Sequence, residues 1–160
     1  MIHPWLEKYP IKKDSKYLII GTHPPMPYCG KLEFYYGNMG EFWRLLNQVY
    51  PNHNLFNNSC PLLENIIQWM DKYEIWITDI VYKTVVENFS TDKQMGKILT
   101  EYLNPCLKNW LQDYNTIEKI YFTSFAGKNN AYSLFRKWYK INYGKILKPI
   151  QSNPEFYQIG

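Results

Sequence analysis

The sequence predicts an α/β fold with a largely parallel sheet, and three observations point there. Apolar runs of strand length alternate with longer segments of helical periodicity, as in folds that link parallel strands through helices. No internal repeat or low-complexity linker divides the 160 residues, which suit one domain spanning 1–160. The stretches after the strand-like runs, 22–40, 79–92, 124–130 and 151–156, are where open parallel sheets bind ligands.

The first strand is expected at Tyr17-Leu-Ile-Ile-Gly21, an apolar run ended by glycine. Thr22-His-Pro-Pro-Met-Pro27 follows, and its three prolines exclude regular structure. Residues 41–50 place Phe42, Leu45, Leu46 and Val49 on one helical face. A second helix is expected from Ser59, as cap, and Pro61, in the first turn, to about Lys72. Glu74–Ile80 is the second strand, with Thr78 and Asp79 at its polar end. Thr91-Asp92 opens a helical stretch toward Leu103; Pro105 restarts it to about Asp113. Ile117–Thr123 is the third strand, 128–141 a helix and 145–150 a short fourth strand.

Composition narrows the functional classes. The net charge of +4 permits a polyanionic partner without requiring one, and no concentrated Lys/Arg run is present. The three cysteines, Cys29, Cys60 and Cys106, form no CxxC pair, so a disulfide framework or cysteine-ligated cluster is not expected. Free thiols, the lack of an apolar leader and the lack of a bilayer-length apolar run lead to the expectation of a cytoplasmic protein with no membrane partner. His3, His23 and His53 lack metal-ligand spacing, and no phosphate-cradling GxxxxGK[ST] loop occurs; neither metal nor cofactor is expected. Aromatics reach 18%. They suit a bulky core, and some suit stacking on bases.

Four segments carry a family resemblance. Leu18-Ile-Ile-Gly-Thr-His-Pro-Pro-Met-Pro27 is similar to a buried strand ending in a Gly-x-(Asp/Asn/Ala)-Pro-Gly motif. Phe34-Tyr-Tyr-Gly-Asn-Met-Gly-Glu-Phe-Trp-Arg-Leu-Leu46 is similar to a "Tyr-Tyr … Phe-Trp-Arg-Leu" stretch, and Trp76-Ile-Thr-Asp-Ile-Val-Tyr-Lys-Thr84 to a second-strand motif. Ser90-Thr-Asp92 and Ile120-Tyr-Phe-Thr-Ser-Phe-Ala126 continue the series. Together, over roughly residues 15–140, they resemble the uracil-DNA glycosylase superfamily, and most closely its hypoxanthine-DNA glycosylase-like branch. The resemblance implies a three-layer α/β/α sandwich around a central, mostly parallel four-stranded sheet. It also implies a cofactor-free DNA glycosylase of base excision repair: a damaged base is flipped out and its glycosidic bond hydrolysed by water.

That chemistry assigns roles. A flipped base needs an aromatic platform worth ~1–3 kcal/mol; the resemblance favours Tyr35 or Tyr36, which would equally serve a core cluster. The resemblance assigns base-edge reading to Asp79, since a carboxylate accepts from the imide or lactam N–H of uracil or hypoxanthine; an Asp that ends the strand and ties down a turn is the other reading of the residue. The carbonyl needs a separate donor. Asn38 is the candidate for water positioning, with His23 as the alternative. Backbone N–H groups near Thr22 and His23, or a cationic His23, would stabilise the departing base, and Glu41 is a candidate anion for the oxocarbenium-like sugar. Ser124, Lys128, Lys148, Ser152 and Asn153 are candidate DNA contacts, and Pro149, Ile150 and Pro154 a candidate wedge. The expected protein is a monomeric, monofunctional glycosylase for deaminated bases. His23 replaces the Asp or Asn of relatives and 37–41 is shortened, which motivates an alternative: a catalytically inactive DNA-binding or damage-sensing module. A hydrolase of free nucleosides is a third possibility. A thiol nucleophile at Cys29 is disfavoured, because no His/Asp partner pattern surrounds it.

Overall fold

The computed structural model describes residues 1–38, 41–58, 60–109 and 113–144, with the backbone of Glu155–Gln158. In chain order the elements are β1 (Tyr17–Gly21), α1 (Glu41–Val49), β2 (Phe56–Asn57), β3 (Cys60–Pro61), α2 (Leu63–Lys72), β4 (Ile75–Asp79), β5 (Lys119–Phe122), α3 (Ala131–Tyr143) and β6 (Glu155–Gln158). The molecule is a mixed α/β protein with a parallel sheet.

β1 is central because it is apolar throughout, as a strand covered on both faces must be. β4 flanks it in the register Leu18↔Trp76 to Gly21↔Asp79, and β5 in the register Leu18↔Ile120 to Ile20↔Phe122. The backbone of β6 runs parallel to β5 on its other side. Strand alternation sorts the side chains. Tyr17, Ile19, Ile75 and Tyr121 share a cavity wall with Phe42 and Leu46 of α1 and Trp69 of α2. On the opposite face, Phe122 meets Tyr132 and Phe135 of α3 at ring distances of 5.3 and 5.4 Å. Leu18, Ile20, Ile77, Ile120 and Phe122 are fully buried, each contributing about 1.5–3 kcal/mol of hydrophobic stabilisation.

Two expectations need correction. The helix expected from residue 59 begins at Leu63. Before it, Phe56 and Asn57 pair antiparallel with Pro61 and Cys60. Proline is tolerated in so short an edge strand, which has no ladder to interrupt. Ser59, the expected cap, lies outside the described residues.

Among the described residues 91–109, the stretch contains 3₁₀ turns at Asp92–Met95, Thr100–Tyr102 and Pro105–Leu107 where helix was expected. Gly96, at φ +78°, ends the first turn. The chain then places its backbone groups on the extension of β4: Tyr82 N and Lys83 N donate to Tyr102 O, and Asn104 N donates to Ile80 O. Tertiary partners thus replace the i→i−4 ladder.

The strand expected at 145–150 lies outside the described residues. The strand that pairs with β5 is Glu155–Gln158.

Candidate functional site

The ends of the three central strands open onto one pocket of about 240 Å³. β1 runs out into Thr22 and His23, β4 ends in Asp79, and Thr123 follows β5; all four line it. Tyr35, Tyr36 and Asn38 enter from the loop before α1, and Glu41 and Phe42 from its first turn. The volume is below the ~300–1,000 Å³ of sites for drug-sized ligands and suits a single ring system.

Asp79 is buried at 5% exposure, and its two oxygens differ in environment. Oδ2 lies 2.8 Å from His3 Nε2. The tautomer follows from the other side of that imidazole, where Nδ1 accepts the backbone N–H of Trp5 (3.0 Å) and Leu6 (3.3 Å). Nε2 therefore carries the proton and donates it to Asp79. Oδ1 is buried with no partner among the described residues.

His3 reaches this position because the N-terminal segment pairs with the chain beyond β4: His3 N donates to Tyr82 O at 2.7 Å. Asn104 secures the same strand end, its Nδ2 donating to Thr78 Oγ1 (3.1 Å) and Asp79 O (2.9 Å).

His23 Nδ1 lies 2.8 Å from Pro24 O, an acceptor, so Nδ1 is the protonated nitrogen. Nε2 is buried and unpartnered among the described residues. Burial, and then the neighbouring His3, lower the His23 pKa to about 4. The ring is neutral at pH 7 and presents a lone pair, not a charge. This corrects the expectation that a cationic His23 could stabilise a leaving base. Holding a water through Nε2 remains open to it.

The two tyrosines occupy different settings. Tyr35 is 1% exposed and packs against Phe34 at 5.1 Å and near His3 at 5.8 Å, so little of its ring face is free. Tyr36 lies beside Phe42, with ring centroids 4.5 Å apart. Its backbone is left-handed at φ +56°, which costs a non-glycine residue about 1–2 kcal/mol. Trp43 helps hold it there, donating Nε1–H to the carbonyl of Tyr35 at 2.9 Å. Backbone strain of this kind is retained where surrounding contacts over-determine it, and functional sites are its common setting.

The Tyr36 hydroxyl, beside Thr123, is buried without a hydrogen-bond partner among the described residues. Burial raises its pKa well above the usual phenol value, with Asp79 adding to the effect, so the proton stays on. A Cβ added to Gly21 would lie 2.6 Å from this hydroxyl and even closer to Asp79 Oδ1. Glycine at the end of β1 is therefore required by space.

The remaining candidates are distributed unevenly. The Thr22 hydroxyl donates to Asp92 Oδ1, so its proton is committed within the protein. Ser124 donates to Asp92 Oδ2 at 3.4 Å and accepts Ala131 N at 2.9 Å, tying β5 to the start of α3. Burial raises the Asp92 pKa, opposed by these hydroxyls. Asn38 is half-buried on the pocket wall, and its Oδ1 lies 3.8 Å from Cys29 Sγ. Glu41 pairs with Arg44 at 2.6 Å on the exposed start of α1. Lys128 is exposed and does not line the pocket. Lys148, Ser152 and Asn153, and the expected wedge of Pro149, Ile150 and Pro154, lie outside the described residues.

Sequence reasoning missed His3, Trp43 and Asn104 as organisers. His3 lies 76 positions from Asp79 and carries no local pattern that would connect the two. Asp92 had a signal, the Ser90-Thr-Asp92 motif; Gln94 Oε1 gathers the N–H groups of Ser90 and Thr91 and turns that segment.

Among the described residues no cluster of three His, Cys, Asp or Glu could hold a metal, and no helix is long and apolar enough to cross a membrane. Compared with protein-family models, curated proteins and solved structures, the chain matches none.

Proposed function

We propose that the protein is a DNA glycosylase that hydrolyses the N-glycosidic bond of a deaminated base, hypoxanthine or uracil, flipped into the strand-end pocket. The observation that carries this reading is the unpartnered Asp79 Oδ1, a buried acceptor in a pocket sized for one ring system. The motif resemblance over residues 15–140 supports it, and with it the finer architecture of a three-layer α/β/α sandwich around a four-stranded sheet.

In this reading Asp79 accepts the N–H of the base, and the tyrosine and Phe42 rings bound the pocket. Water is held by Asn38 or by the lone pair of His23 Nε2. It attacks the anomeric carbon as the base leaves with the bonding electrons; the water gives up one proton, to the His23 Nε2 lone pair or to solvent, and the base anion takes one up on release. Extracting the base from the stack costs a few kcal/mol, least at mispaired lesions. DNA is the partner, with Ser124, Lys128, Lys148, Ser152 and Asn153 as the proposed contacts.

The neutral state of His23 favours a second reading, an inactive damage-sensing module, since no cation on that ring aids the departing base. A base-release assay separates the two. Oligonucleotides carrying uracil, hypoxanthine or xanthine, single- and double-stranded, are incubated with protein and treated with hot alkali. Cleavage at one lesion, lost in Asp79→Ala, supports the glycosylase. Lesion-selective binding without cleavage supports the sensor, and neither activity overturns both.

A further inference from the structure

We infer that the Tyr36 hydroxyl and Asp79 Oδ1 act together as a donor–acceptor pair that recognises a cyclic –CO–NH– edge, making Tyr36 a specificity-determining residue of the pocket. The inference rests on the proposed role of Asp79 and supplies what a carboxylate lacks, a donor for the carbonyl beside the N–H.

Three observations support it. Both oxygens are buried and without partners among the described residues, although buried polar groups are ordinarily satisfied. Both crowd the same point above Gly21, so they stand within about two hydrogen-bond lengths of each other. Their residues both line the pocket, so a ligand can supply the missing partners.

The roles of the two oxygens are set by separate contacts. Asp79 turns Oδ2 to the His3 N–H, which leaves Oδ1 for a ligand. Tyr36 keeps its proton, and its strained backbone is secured by Trp43 through the Tyr35 carbonyl.

A lactam or imide matches this pair: its C=O accepts from Tyr36, and its N–H donates to Asp79. Hypoxanthine and uracil both carry such an edge. Adenine and cytosine carry an amino group and a bare ring nitrogen instead. With the ring nitrogen toward Asp79 Oδ1, two acceptors face each other and the amino group meets the Tyr36 proton. With the edge reversed, the amino group satisfies Asp79 and the ring nitrogen can accept from Tyr36, but the base must then rotate in the pocket. Discrimination therefore also depends on how the sugar fixes that orientation. Guanine and thymine also have –CO–NH– edges, so their exclusion must come from pocket shape and from the resistance of paired bases to flipping.

The test measures binding of a matched series of oligonucleotides in which the target position is hypoxanthine, 1-methylhypoxanthine, adenine, uracil, 3-methyluracil or cytosine. Each carries a 2′-fluoro sugar at that position to block cleavage. Wild type is expected to bind hypoxanthine at least tenfold tighter than adenine and to lose that margin with 1-methylhypoxanthine, which lacks the N–H. Tyr36→Phe should cut hypoxanthine binding about 10–100-fold, the usual consequence of leaving a buried carbonyl unpaired, and should leave adenine binding within a factor of about three.

Equal loss for both bases in folded Tyr36→Phe, or wild-type tolerance of N-methylation, would overturn the inference. The methylated probes need no variant, so a misfolded mutant cannot hide the answer. Base release from the matching unmodified 2′-deoxy oligonucleotides, with an unchanged hypoxanthine-to-adenine binding ratio in Tyr36→Phe, rejects the edge reader and retains the glycosylase. Edge-selective binding without base release retains the edge reader and rejects the catalytic reading.

Discussion

His3 Nε2 donates to Asp79 Oδ2 at 2.8 Å, while the opposite ring nitrogen accepts two backbone N–H groups from its own turn. The second contact decides the first: with Nδ1 occupied as an acceptor, the ring must offer its proton at Nε2. The N-terminal segment thereby orients a carboxylate at the far end of β4.

His3 is accordingly a positioning residue. His3→Ala should lower stability by about 1–3 kcal/mol, the usual cost of leaving a buried polar group unpaired, and weaken hypoxanthine-site binding about tenfold. His3→Gln, which can return an N–H to Asp79, should recover more of the binding than of the stability, because it does not replace the Nδ1 acceptor. Denaturant unfolding and oligonucleotide titration check both quantities.

His23 makes stability depend on acidity. Above pH 6.5 the ring is neutral in folded and unfolded chains alike and has no effect. Between 6.5 and about 4 the unfolded chain takes up a proton that the folded chain refuses. Stability from this group therefore falls as pH is lowered, by up to about 1.4 kcal/mol per pH unit, and levels off below about 4. His23→Asn keeps a donor for Pro24 O and removes the titration, so its stability curve should be flatter over that window.

Trp43→Phe retains an aromatic in the core and deletes the bond to the Tyr35 carbonyl. The expected cost is about 1–3 kcal/mol, with Tyr36 freed to leave its left-handed backbone. If the bond serves to hold Tyr36, the effects of Trp43→Phe and Tyr36→Phe on hypoxanthine-site binding will be less than additive in a double-mutant cycle.

Gly21→Ala places a methyl group against Asp79 Oδ1 and the Tyr36 hydroxyl. Overpacking of this kind costs about 1–3 kcal/mol, and lesion binding should be lost with it. Gly127→Ala is the contrast. Its Cβ meets nothing within 4 Å, though φ is +86°; it should cost about 1 kcal/mol and leave binding unchanged.

The parts of the fold that could be read from sequence are those whose signals are local. β1, β4 and β5 are apolar runs bounded by turn residues, and α1 and α3 show helical periodicity. Each lies within a few residues of its expected position. Residues 91–107 form 3₁₀ turns rather than the expected helix, and Tyr102 and Asn104 there bond the backbone of residues 80–83, partners that helix propensity does not register. The start of α2 shifted because Phe56, Asn57, Cys60 and Pro61 pair as a hairpin, a contact that a favourable capping sequence does not reveal.

The sequence by itself determined that parallel strands would end in chemistry-bearing segments, and hence that Thr22, His23 and Asp79 would gather at one edge of a sheet. Only the tertiary structure decided the state of those groups. It brought His3 to Asp79, left Oδ1 buried without a partner among the described residues, kept His23 neutral and placed the Tyr36 hydroxyl beside Gly21. The physical reason is that strand and helix formation depend on neighbours along the chain. Protonation state, unsatisfied polarity and the reach of one side chain to another depend on neighbours in space.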